Sequence, residues 1–290
     1  MKKTGLVVEG GGMKCAYGAA ILDAFLDNNI QFDYVIGVSA GAANAVSYLA
    51  GQRERNLRYY TIHVTDPDYF GWRPFLKHGD LFNLHHIYGD MTNSGGADPL
   101  DYEAMMANPA EFKVAATDAV TGKAHYFDKS DFRKDDYRIL MGTSALPAAC
   151  RPVEIDGHLY YDGGVADSIP YAKAFRDGCG KLVIILSKPR DFVKKPESFR
   201  LAYTLLCRRY PNIIRRLNRR HITYTRQLNA VWELEKKGRA FVFAPSKDLP
   251  MSTFAMDAQE NQNLYDLGME DFRRQKDDFQ AFLSGREKEE

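Results

Sequence analysis

No stretch of this chain approaches the roughly 20 consecutive apolar residues that a membrane-spanning helix needs, so a lipid partner is expected to be met from the water side. Charge of one sign is not in excess either. Its 39 Lys and Arg stand against 38 Asp and Glu, a net charge of +1, which removes the general electrostatic reason to expect nucleic acid as a partner. Cysteine is sparse: Cys15, Cys150, Cys179 and Cys207 are far apart, lack metal-ligand spacing and lie in small-residue or apolar surroundings. Reduced, packed thiols and a cytoplasmic protein are the expectation. After Met1-Lys2-Lys3 the apolar run extends only from Gly5 to Val8 before Glu9 and a glycine run, too short for a signal-peptide core. No internal repeat is visible. What the chain does have is 45% hydrophobic residues over 290 positions, enough for one large core without staples.

The periodicity alternates between strand and helix. Thr4 to Glu9 is a short β-branched run ending in glycines, and Ala16 to Asn28 follows with apolar residues at helical spacing. Phe32 to Val38 and Ala40 to Leu49 repeat the pattern. Further strands are expected at 112–117, 124–127, 181–186 and 239–244, with helices at 137–146 and 168–175. This order predicts an α/β fold with a mainly parallel sheet. Two regions depart from it: residues 69–93, rich in aromatics and histidines with Gly and Pro breaks, predict an irregular flap or channel wall, and residues 187–197 a linker. The organisation expected is a core over 1–186, followed over 187–290 by the linker, a basic amphipathic helix, a further strand and C-terminal helices packed on the core, with Arg286 to Glu290 as a solvated tail.

Three pieces carry chemistry. Gly37-Val38-Ser39-Ala40-Gly41 lies between a predicted strand and a predicted helix, where a sharp turn exposes the serine hydroxyl and needs small neighbours at Gly37 and Gly41. The serine also sits at a helix N-terminus, which favours developing negative charge. Taken alone the pattern is equally an ordinary strand-to-helix turn. Gly10-Gly11-Gly12-Met13-Lys14 follows the first strand, and consecutive glycines let backbone N–H groups converge on one point, such as an oxyanion. A dinucleotide loop is the competing reading, but Cys15 occupies the third glycine position and no GK[ST] follows. Tyr160-Tyr161-Asp162-Gly163-Gly164 places an aspartate at a strand end beside two glycines, by itself a common turn.

In this order and context the three motifs resemble those of the patatin-like phospholipases over about residues 4 to 186. The resemblance implies a three-layer fold with a helical C-terminal extension, and a Ser-Asp dyad working without histidine, cofactor or metal. It assigns the nucleophile to Ser39, the base to Asp162 and the oxyanion donors to the backbone at Gly11, Gly12 and Met13, supported by Gly10, Lys14, Gly37, Gly41, Gly163 and Gly164. Glu9 and Cys15 depart from the family pattern, which has Asp and Gly there. The activity implied is hydrolysis of a lipid acyl ester, of phospholipase A or lysophospholipase type. A carboxylesterase for small soluble esters and a non-catalytic lipid-binding or scaffold protein on the same frame are the alternatives.

A conventional triad is the closest rival chemistry, since the chain holds seven histidines: His63, His78, His85, His86, His125, His158 and His221. None stands in a recognisable terminal loop of an α/β-hydrolase, and His158 is expected to face solvent. Adjacent His85 and His86 point different ways and have no apparent third ligand, so no metal site is expected. Phe70, Trp72, Phe75, Leu81, Phe82 and Tyr88 are candidates for an acyl-chain groove or for plain core. From Pro211 to Leu234 apolar residues recur at three- and four-residue steps. Arg215, Arg216, Arg219 and Arg220 lie on the other face, preceded by Arg208 and Arg209. These six are candidates for peripheral contact with an anionic membrane.

Overall fold

A computed structural model of the chain describes residues 2–198, 200–249, 254 and 256–285; the expected tail at 286–290 lies outside them. Eight strands, β1 (Lys3–Val8), β2 (Tyr34–Val38), β3 (Glu111–Asp118), β4 (Ala124–Asp128), β5 (Val153–Ile155), β6 (His158–Asp162), β7 (Cys179–Ile185) and β8 (Ala240–Phe243), form one sheet. Its order is β5-β6-β3-β2-β1-β7-β8, with β4 also on β3. The five strands from β3 to β8 run parallel, β4 and β6 pair antiparallel with β3, and β5 pairs antiparallel with β6. Between them come α1 (Ala16–Asp27), α2 (Ala40–Leu49), α3 (Arg55–Thr61), α4 (Trp72–His78), α5 (Tyr102–Ala107), α6 (Arg138–Ser144), α7 (Tyr171–Arg176), α8 (Arg200–Leu206), α9 (Pro211–Lys236) and α10 (Ala258–Ser284).

Successive strand residues point to opposite faces, and both faces are covered. Leu6, Val8, Val35, Val183 and Ile185 enter one apolar cluster with α1 and α10 residues, whereas Val7, Tyr34, Ile36, Leu182 and Ile184 enter a second with Ala174 of α7 and Leu228 and Val231 of α9. This is why the central strands read as continuous apolar runs. Phe25 of α1 stacks on Phe279 of α10 with centroids 5.3 Å apart, one of several ring pairs, each adding about 0.5–1.5 kcal/mol beyond buried area. The chain after residue 186 therefore shares the core: β8 extends the sheet beside β7, and α9 and α10 cover opposite faces.

Some boundaries differ from expectation for a local reason. The helix predicted at 168–175 begins only at Tyr171, and that at 137–146 stops at Ser144, because Ile169 and Leu146 precede prolines; a residue before proline is driven out of the helical region. The region expected to be irregular carries α4 and a π-helical turn at His86–Asp90.

Register on β3 sets the geometry of the site. Residues 113–115 of β3 pair with β2 and β4 at once, so those two strands flank opposite edges, and Ala116 pairs with both His125 of β4 and Asp162 of β6. Hence β6 occupies the same edge of β3 as β2, continuing where β2 ends. Val38 faces Ala115 and Asp162 faces Ala116, which brings two residues distant in sequence to neighbouring register positions.

Candidate active site

Ser39 is the hinge between β2 and α2, at φ 53° and ψ −135°, a backbone conformation sparsely populated by any residue other than glycine. The glycines around it permit close approach. A Cβ on Gly37 would stand 2.5 Å from Ala42 Cα, and one on Gly41 2.7 Å from the Val8 carbonyl oxygen. The turn is held from outside by a residue that the sequence did not single out: the Ser39 amide donates to Thr143 Oγ1 at 2.8 Å, and that hydroxyl donates to the Ala115 carbonyl at 2.5 Å. Thr143 is fully buried on α6.

Asp162 ends β6. Its amide donates to the Ala145 carbonyl at 2.8 Å and its carbonyl accepts from Thr117 Oγ1 at 2.8 Å, while Oδ1 accepts from the Gly164 amide at 2.7 Å. Its carboxylate lines the same cavity as Ser39, whose side chain is near enough to favour the ionised form. Ser39 is 8% exposed and Asp162 2%. Burial pushes the Asp162 carboxyl above its ordinary value, and the contacts with Ser39, Arg220 and Gly164 pull it part of the way back; the net effect is a stronger base than a free aspartate.

The glycine loop lies across the same turn. A Cβ on Gly10 would stand 2.8 Å from Ser39 Cβ. Gly12 adopts φ 58° and opens a 3₁₀ turn, Gly12–Cys15, so the amides at Gly11, Gly12 and Met13 come at the start of a turn, where no intrahelical acceptor exists. Met13 is buried, and Lys14 Nζ lies 3.9 Å from Asp248. Cys15 is buried with its Sγ 3.5 Å from the Glu9 carbonyl, so the missing glycine is replaced by a packed thiol. Behind the loop, the buried Glu9 carboxylate accepts from the Ser187 amide at 2.7 Å and from Tyr224 Oη at 2.8 Å, and Ser187 Oγ donates to the Gly10 carbonyl at 2.9 Å. The expected linker is thus packed against the glycine loop.

Two cavities meet at Ser39. One, of about 560 Å³, is lined by Gly10 to Gly12, Ser39 and Asp162, and by Phe70, Leu81, Phe82, Tyr203 and Phe254. The other, of about 70 Å³, is lined by Met13, Ser39, Val46, Ile87, Tyr88 and Leu140 among others. Phe70, Leu81, Phe82 and Tyr88 of the predicted aromatic set therefore reach the site; Trp72 and Phe75 are exposed away from both cavities. None of the seven histidines lines either cavity. His158 is exposed, and His85 and His86 both contact Asp90, at 3.4 and 3.3 Å.

Arg220 requires a correction. Grouped by sequence with the outward-facing arginines, it is half-buried and lines the larger cavity, donating from Nε to the Gly164 carbonyl at 2.7 Å and pairing with Glu197 at 3.2 Å. A Cβ on Gly164 would stand 3.0 Å from both Arg220 Nη2 and Asp162 Oδ1, so guanidinium and carboxylate are at most twice that far apart. Arg216 is also engaged, with Nε 2.8 Å from the Gly122 carbonyl. Periodicity did not find Arg220 because it reports a helix face, whereas a long side chain reaches around it. Tyr224 was visible only as an apolar-face residue.

Comparison with known proteins finds a family match over the first part of the chain. A model of the patatin-like phospholipases matches residues 6–175, and a domain of unknown function (DUF6363) matches residues 210–284. The chain is 28% identical over 210 residues to the uncharacterized protein YjjU of Escherichia coli K12, covering 67% of this chain and 55% of that one, so it spans about half the relative's length. It is also similar to the solved structure of VipD from Legionella pneumophila, at 11% identity and a TM-score of 0.45, over 94% of this chain and 67% of VipD.

Proposed function

The chain belongs to the patatin-like phospholipase family, and from that premise we propose that it hydrolyses lipid acyl esters, as a phospholipase A or lysophospholipase, through Ser39 and Asp162. The observation that carries the reading is that Ser39 and the buried Asp162 carboxylate, at neighbouring register positions on β3, line one cavity and Ser39 a second, both largely apolar.

The proposed chemistry is acyl transfer through serine. A serine hydroxyl needs a base as it attacks. Asp162 takes the Ser39 proton while Oγ bonds to the ester carbonyl carbon, and the carbonyl oxygen becomes an anion. Amides at Gly11, Gly12 and Met13 are the proposed donors to that anion, each worth roughly 3 kcal/mol when well aimed, with the α2 N-terminus adding favourable potential. The C–O bond then breaks and the leaving alcohol takes the proton from Asp162. Water, deprotonated by the same carboxylate, adds to the acyl-enzyme; the C–Oγ bond then breaks, Asp162 returns the proton to Ser39 Oγ, and the fatty acid is released. Glu9 and Ser187 support the loop rather than the reacting atoms.

A fluorophosphonate probe is expected to label Ser39, and Ser39→Ala to lose both labelling and ester hydrolysis without loss of fold. Rates on p-nitrophenyl esters should rise with acyl length if the cavities hold a chain; a preference for the shortest esters favours a small-ester carboxylesterase. Labelling of a different serine rejects the proposal.

A further inference from the structure

Helix α8 is built inside out for a surface helix. It buries Tyr203, and Cys207 just beyond its end, yet leaves Leu201 89%, Leu205 63% and Leu206 61% exposed. Single exposed leucines need no explanation, but three within six residues form an apolar patch of the kind that marks an interaction surface. Its place matters: Ala202 and Tyr203 of the same helix line the larger cavity that reaches Ser39 and Asp162, so the helix that carries the leucines forms part of that cavity's wall. The helix is anchored beneath by Tyr203 Oη, which donates to Asn218 Oδ1 of α9 at 2.7 Å.

Charge selects the partner. Between Glu197 and Glu233 the chain has no acidic residue and eight arginines, although its overall charge is only +1. Arg216 and Arg220 are spent on internal partners, but Arg200, Arg208 and Arg209, which bracket the leucines, are exposed and form no ion pair among the described residues. Apolar side chains flanked by unpaired cations suit neither water nor a neutral protein surface; they suit an interface of acyl chains beneath anionic headgroups.

We propose that α8 is the docking element of this protein for an anionic lipid surface, with Leu201, Leu205 and Leu206 entering the acyl boundary and Arg200, Arg208 and Arg209 resting on headgroups. The helix thereby sets the mouth of the larger cavity against the layer that holds the ester. Its purpose rests on the hydrolase reading, whereas the binding itself does not. This surface differs from the six-arginine set expected from sequence: it adds the leucines and Arg200, keeps Arg208 and Arg209, and leaves out Arg215, Arg216, Arg219 and Arg220.

The test is flotation of the full chain with phosphatidylcholine vesicles containing phosphatidylglycerol, compared with pure phosphatidylcholine. Wild type should float with the anionic vesicles and lose affinity as salt rises, about fivefold for each arginine contact removed. The double variant Leu201→Ser/Leu205→Ser should lose at least tenfold in vesicle affinity while its melting temperature, Ser39 labelling and p-nitrophenyl butyrate hydrolysis stay at wild-type levels. Arg208→Gln/Arg209→Gln should weaken only anionic binding. Vesicle binding that survives the leucine substitutions overturns the proposal, as does wild type that ignores anionic vesicles. A concentration-dependent dimer dissolved by the same substitutions overturns it in favour of a second copy of the chain. Leucine-dependent flotation without Ser39 labelling leaves the docking surface standing and removes the hydrolase reading.

Discussion

Replacing Thr143 by valine tests the strained turn most directly. Thr143 is fully buried and is the acceptor for the Ser39 amide at 2.8 Å, and valine keeps its shape while removing that acceptor. A buried N–H left without a partner costs about 1–3 kcal/mol. The turn it belongs to already carries positive φ, a strain of about 1–3 kcal/mol that its surroundings must hold. Thr143→Val is therefore expected to lower the free energy of unfolding by about 1–3 kcal/mol, seen as a lower urea midpoint at unchanged slope. Relaxation of the turn also displaces Oγ from its reactive position. Since each ~1.4 kcal/mol in the barrier is tenfold in rate, fluorophosphonate labelling of Ser39 should slow by about ten- to a hundredfold. Thr143→Ser keeps the hydroxyl and loses one methyl, about 1 kcal/mol, so it should be slightly less stable yet label near the wild-type rate. A valine variant with wild-type midpoint and wild-type labelling refutes the reasoning, because the threonine would then be packing alone.

Two further predictions concern the carboxylate. Burial raises the Asp162 carboxyl above its ordinary value, so this group's stability contribution is fully present below the ordinary Asp range and is lost as pH rises through the folded-state value. Asp162→Asn never acquires the buried charge. It should abolish turnover yet be more stable than wild type at pH 7, by about 0.5–2 kcal/mol, with the advantage shrinking on acidification; thermal unfolding at pH 7 and pH 4 reads this, and a less stable variant at pH 7 contradicts it. Arg220 favours the ionised carboxylate, so Arg220→Gln should raise the Asp162 value further and move the acid limb of kcat/KM for a p-nitrophenyl ester to higher pH. Arg220→Lys should restore the limb in part, and an unmoved limb in the glutamine variant shows that Arg220 serves only to hold Gly164.

What could be read from sequence was what the backbone demands locally. The turn at Ser39 needs glycine at 37 and 41 because Ala42 and the Val8 carbonyl crowd those positions, and a chain that meets such a demand displays it as a pattern. The parallel strands were likewise legible, since burial on both faces leaves apolar runs. The proposed pairing of Ser39 with Asp162 is of another kind. Asp162 meets Ser39 because β6 continues the edge of β3 that β2 leaves vacant, and no local preference states which of the chain's aspartates will be there. Thr143, Glu9, Ser187, Arg220 and Tyr224 were illegible for the same reason: their partners lie 28 to 215 positions away. Local sterics write themselves into neighbouring residues, whereas a contact made across the sheet depends on register and packing that exist only once the whole chain has folded.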